Sequence, residues 1–79
     1  MLRYEFVRCM EIRTRLAERI NGRIFVGKNR DNVTINIFGC PTCKYQITLN
    51  SSILQDNIDK TVNDIYENYR KFIQNKFFI

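Results

Sequence analysis

The sequence predicts an α+β fold of αβββα order, in which a three-stranded antiparallel sheet carries two amphipathic helices packed on one face. Three observations carry this expectation. Apolar residues recur at helical spacing near the start of the chain and again, more regularly, over its last third. Between these segments lie three short runs in which apolar and polar residues alternate. At 79 residues the chain has room for a single domain, 1–79, so small that every large apolar face has to be used.

The first helix is expected over about Tyr4 to Asn21. Phe6, Cys9, Met10, Leu16, Ala17 and Ile20 fall at helical spacing, and Asn21-Gly22 provides a stop signal. Arg13 interrupts this stripe, one heptad after Phe6 and one before Ile20. A guanidinium there must snorkel to the rim, meet a carboxylate or face another molecule, because burying it unpaired costs too much. Arg8, Arg15 and Arg19 share a different face with Glu11 and Glu18.

Three strands follow, Arg23 to Gly27, Val33 to Phe38 and Lys44 to Asn50. One face would hold Ile24, Val26, Val33, Ile35, Ile37, Tyr45, Ile47 and Leu49. The other would hold Arg23, Phe25, Thr34, Asn36, Phe38, Lys44, Gln46 and Thr48, the pattern of a sheet covered on one side only. The polar segment Lys28 to Asn32 reads as the first turn.

The second connection contains Cys40-Pro41-Thr42-Cys43. A simple four-residue turn there would set Ile37 opposite Gln46 and Asn36 opposite Ile47, mixing the two faces. Pairing Ile37 with Tyr45, Ile35 with Ile47 and Val33 with Leu49 keeps the faces apart. It requires an odd loop of three residues, or of the five from Gly39 to Cys43, and hence an irregular or bulged tip.

Three chemistries fit this tip. As half of a zinc knuckle, Cys40 and Cys43 supply two of the four ligands that structural zinc needs. With Cys9 assigned to the core, a full site requires a second copy of the chain, a zinc-bridged homodimer. A redox pair is disfavoured because reactive Cys-x-x-Cys thiols usually open a helix, whose dipole stabilises the thiolate. A plain hairpin tip, with Pro41 presetting the turn and the cysteines acting as small apolar residues, is the most economical reading, and it needs no cofactor.

The last element is expected over roughly Ile53 to Asn75. Ser52 and Gln55 stand at capping-box spacing, and Leu54, Ile58, Val62, Ile65, Tyr69, Phe72 and Ile73 form one stripe.

Composition narrows the function classes. The chain contains no histidine, which excludes Ser-His and Cys-His nucleophiles, and no glycine-rich phosphate loop; we therefore expect no enzyme. No apolar run reaches the length of a membrane span, the opening residues lack signal-peptide order, and the three cysteines do not suit a secreted disulfide framework. A cytoplasmic protein is expected. The abundance of Asn, Ile, Lys, Tyr and Phe, with one Ala and no Trp, suggests an AT-rich genome such as that of a low-GC bacterium or its phage.

The formal charge of +5 sits entirely within residues 1–30. There Arg3, Arg8, Arg13, Arg15, Arg19, Arg23, Lys28 and Arg30 face only Glu5, Glu11 and Glu18. We read the chain as a small non-enzymatic binding protein acting on another protein, in the manner of a phage or mobile-element regulator that obstructs a larger host protein. Its candidate contacts are Arg8, Arg13, Arg15, Arg19, Phe25 and Phe38. The alternative is nucleic-acid binding, with the arginines of the first helix on phosphates and Phe25 or Phe38 stacking bases on the open sheet.

Overall fold

A computed structural model describes residues 2–40 and 43–77, the side chains of Cys40, Cys43 and Phe77 excepted. The element order is α1 (Arg3–Arg19), β1 (Arg23–Lys28), β2 (Asn32–Cys40), β3 (Cys43–Asn50), a 3₁₀ turn (Ser51–Gln55) and α2 (Ile58–Phe77). The strands form an antiparallel meander in the order β1-β2-β3, as the alternation implied, and both helices lie on its apolar face. The central strand buries Val33, Ile35 and Ile37 completely. No helix among the described residues is long and apolar enough to cross a membrane.

The ladder keeps the two faces apart as expected, with Ile37 opposite Tyr45, Ile35 opposite Ile47 and Val33 opposite Leu49. Cys40 nevertheless lies opposite Cys43, and the register shifts between Phe38 and Cys40. Gly39 is the extra residue of a β-bulge, and this device reconciles a tight tip with a face-preserving register. Pro41 and Thr42 lie outside the described residues.

The core face of α1 keeps Cys9, Leu16 and Ile20 of the expected stripe but adds Ile12 and leaves out Phe6 and Ala17. Cys9, Ile12, Leu16 and Ile20 are buried, whereas Phe6, Val7, Arg13 and Ala17 are exposed. The helix is thus turned so that Ile12, and not Arg13, meets the sheet. Arg13 lies at the exposed edge of the core and donates Nε–H to the carbonyl oxygen of Ile24 at 3.0 Å. That bond satisfies a backbone acceptor on the edge strand β1. Nor does Asn21-Gly22 end α1 through a left-handed residue. No described residue has positive φ, and the helix closes at Ile20, which is extended and donates its N–H to the carbonyl oxygen of Leu16.

The second helix begins later than the capping-box spacing suggested. Ser51–Gln55 forms its own 3₁₀ turn, whose Ser52 N–H is accepted by Asn50 Oδ1 at 2.8 Å. The N-cap of α2 is Asn57, whose Oδ1 accepts N–H bonds from Asp59 at 2.9 Å and Lys60 at 3.3 Å. Leu54, Ile58, Val62, Ile65 and Tyr69 are buried on the expected stripe. Phe72 is only half-buried, its ring 5.1 Å from that of Tyr45 on β3.

One ion pair ties the start of α1 to the β1–β2 turn. Lys28 Nζ lies 2.9 Å from Glu5 Oε2 with only 7% of its side chain exposed, and it also donates to the carbonyl oxygen of Asn29 at 2.9 Å. The other Glu5 oxygen accepts the Leu2 N–H at 3.2 Å, one of the orphan donors of the helix start. The Lys28 hydrogen bond, followed by the Leu2 N–H, holds the Glu5 carboxyl below its ordinary pKa. A depressed carboxylate stabilises the fold above its unfolded-state value of about 4.3 and loses that contribution as pH falls through the folded-state value. Glu5→Gln is therefore expected to flatten the acid limb of a plot of Tm against pH, as read by circular dichroism. An unchanged acid limb would show that the pair does not couple to folding.

Candidate functional site

The arginines of α1 spend much of their bonding capacity inside the molecule. Arg8 donates Nε–H to the carbonyl oxygen of Leu54 at 3.0 Å and Nη2–H to that of Asp56 at 2.9 Å. It thereby caps the 3₁₀ turn, while its Nη1 stands 3.6 Å from Glu11. Arg15 pairs with Asp59 at the start of α2, and Arg19 donates to Asn63 Oδ1 and lies over the Tyr66 ring. The face expected to be a free basic surface is thus the seam between α1 and the segment leading into α2. Its exposed pairs add little stability each, but they set the angle at which the helices meet.

Away from this seam α1 carries an apolar ridge of Phe6 and Val7, 54% and 46% exposed. Leu2 and Tyr4 at the helix start are exposed as well, but the Tyr4 hydroxyl donates to the carbonyl oxygen of Leu54 at 3.4 Å and belongs to the seam. A groove of ≈ 690 Å³ continues from the ridge between the helices. Phe6, Val7, Met10 and Val62 supply its apolar lining, with Glu11, Glu18, Arg15, Arg19 and Asp59 at its charged positions.

The second surface is the open face of the sheet, on the side away from both helices. Phe25 and Phe38 stand there 53% and 38% exposed, packed edge to face with centroids 5.7 Å apart and planes at 82°. Lys44 Nζ lies 5.8 Å from the centre of the Phe38 ring. Both phenylalanines occupy the face that the alternation assigned them.

Cys40 and Cys43 are paired across the hairpin through their backbones. Their side chains, and with them the proposed zinc ligation, lie outside the described residues. No cluster of three or more His, Cys, Asp or Glu side chains able to hold a metal occurs among the described residues. Cys9 is in the core, and burial pushes its thiol pKa up, the opposite of what activates a cysteine nucleophile. Burial likewise raises the hydroxyl pKa values of Tyr45 and Tyr69.

Compared with known proteins, the chain matches no family model, no curated protein and no solved structure.

Proposed function

We propose that the chain is a small non-enzymatic binding protein whose partner is another protein, docked along the exposed ridge of α1. The observation that carries this reading is the pair Phe6 and Val7, large apolar side chains left 54% and 46% exposed where α1 lines the groove. In a domain with so small a core, apolar surface of this size is costly to leave in water. The groove beside it joins an apolar floor to charges of both signs, with Arg15 and Arg19 near Glu11, Glu18 and Asp59. Mixed charge around an apolar centre suits a protein surface better than a polyanion. Together with the AT-rich composition, the size of the domain fits a phage or mobile-element regulator that obstructs a larger host protein.

The test is a tagged pull-down from lysate of the source cell, with and without nuclease, comparing the native chain with the Phe6→Ser, Val7→Ser double variant. Both side chains are exposed, so the variant should keep its circular dichroism spectrum and Tm. The expected result is a nuclease-resistant protein captured by the native chain and lost from the variant. Capture abolished by nuclease, or capture indifferent to the substitutions, would contradict the assignment.

A further inference from the structure

The open sheet face carries a pattern that the α1 ridge does not explain. Read across the three strands, Arg23 on β1 lies opposite Phe38 on β2, which lies opposite Lys44 on β3. The next row on the same face is Phe25, Asn36 and Gln46, and the one after it Gly27, Thr34 and Thr48. A ring is thus flanked by two cations, and a second exposed ring stands diagonally beside it. Neighbouring strands are about 4.8 Å apart, so the backbones bearing Arg23 and Lys44 are separated by roughly 10 Å, with Phe38 between them.

Charge sorting strengthens the pattern. None of the residues of β1, β2 or β3 is acidic; every carboxylate side chain of the chain lies on a helix or in a connection. Of the three strand cations, Lys28 is tied to Glu5, whereas Arg23 and Lys44 are exposed. The face therefore offers positive charge to a ligand with no carboxylate among its strand residues to repel an anion. Phe25 and Phe38 keep 53% and 38% of their surface exposed on this face, so both rings remain open to a ligand.

We infer that this face binds single-stranded RNA, with unstacked bases lying on Phe25 and Phe38 and the backbone phosphates drawn to Arg23 and Lys44. Aromatic rings on an open surface accept any base through its π-face, and flanking cations follow the phosphates. A duplex keeps its bases stacked and cannot offer them to rings on an open sheet face, so the strand must be single. The amides of Asn36 and Gln46 and the hydroxyls of Thr34 and Thr48 supply both donors and acceptors next to the rings. That is the complement of a ribose 2′-hydroxyl, which both donates and accepts. The sheet lies between this face and the α1 ridge, so the assignment stands independently of the protein-binding reading.

The experiment is fluorescence anisotropy with a labelled mixed-sequence RNA of about twelve nucleotides, a length that spans one domain-sized site. A single-stranded DNA of the same sequence and an RNA duplex form the other arms. Phe25→Ala with Phe38→Ala should weaken RNA binding at least roughly tenfold. Phe25→Tyr with Phe38→Tyr, which keeps both rings, should restore it. Lys44→Gln should weaken binding at low salt and reduce the slope of log K against log salt by roughly 0.7. The alanine pair should leave Tm nearly unchanged, which separates a binding role from a packing role. The inference is overturned by absence of RNA binding at about 50 mM salt, by equal affinity for the DNA strand or the duplex, or by loss of binding from Arg15→Gln but not from the phenylalanine pair. A dimer in sedimentation that the alanine pair dissolves would instead assign the face to a second copy of the chain, and would overturn it as well.

Discussion

Ile12→Ala is expected to cost about 2–5 kcal/mol of folding stability, as measured by urea unfolding followed by circular dichroism. Ile12 is fully buried and sits where α1 meets the sheet, among Cys9, Leu16, Ile24 and the β2 core residues. Truncation removes apolar contact and leaves a cavity that a helix pinned at its start and along its flank cannot easily close. Lys28 holds its start through Glu5, and Arg13 holds its flank through the Ile24 carbonyl. For a domain of this size the loss would be a large share of the total, since native stability runs at about 0.05–0.15 kcal/mol per residue. The comparison is Arg13→Ala, which removes one hydrogen bond to a backbone carbonyl and should cost about 1 kcal/mol. If Arg13→Ala proved the more damaging, the rotation of α1 described above would be wrong.

That comparison bears on how much of the molecule was legible in its sequence. The strands, their sidedness and the register around Ile35 could be read because a period of two leaves a strand only two choices of face, and a one-residue slip exposes every core residue at once. An irregular or bulged tip could be anticipated for the same reason, because the face-preserving pairing requires an odd loop, but its position between Phe38 and Cys40 could not. A helix is more forgiving. On α1 the expected stripe joined Phe6, Met10 and Ala17 to Cys9, Leu16 and Ile20, two sets at helical spacing rotated from one another by less than a right angle. Only the second set, completed by Ile12, is buried, while Phe6 and Ala17 are exposed. Ile12 extends that set with no charge in it, whereas Arg13 falls in the first, and that signal was available. The start of α2 was misplaced because Ser52 and Asn57 are both good caps, and only tertiary context shows that the first serves a separate 3₁₀ turn.

The candidate surfaces divide along the same line. Phe25 and Phe38 were legible as open-face residues from alternation alone. The ridge of α1 was not, because its exposure depends on the helix rotation. The use of Arg8 was equally hidden. Its bonds reach Leu54 and Asp56, far along the chain, and no local pattern reveals a side chain that caps carbonyls on another element. Sequence marks a basic residue as a charge available to a partner, whereas the fold decides whether that charge is already committed.

The sharpest remaining test lies at two glycines that the sequence does not distinguish. A Cβ built on Gly22 would overlap the carbonyl oxygen of Phe38 and stand 2.8 Å from the Cα of Gly39. All of these atoms are backbone, so no side chain can swing aside; the α1–β1 link would have to withdraw from the bulge. Gly22→Ala is therefore expected to destabilise the fold by about 1–3 kcal/mol, the usual cost of forcing extra volume into a close contact. This comes despite a φ that alanine can adopt and despite the unfolded-state entropy that alanine removes. A Cβ on Gly27 would meet nothing within 4 Å, and φ is again unexceptional. Gly27→Ala should accordingly be neutral or stabilising by up to about 1 kcal/mol, because only the unfolded-state term operates. Opposite signs in paired urea titrations would show that close approach, and not conformational freedom, fixes glycine at position 22. Equal effects from the two substitutions would show that the α1–β1 link does not pack against the bulge as described. The same approach then has a further consequence at the partner position. A Cβ on Gly39 would overlap Tyr69 Oη and stand 3.0 Å from its Cζ, but these atoms end a side chain and can move. Gly39→Ala should therefore fall between the other two, with Tyr69→Phe relieving part of its cost. That rescue depends on the bulge resting directly on Tyr69 of α2, so that a single extra residue in β2 touches both the α1–β1 link and the last helix.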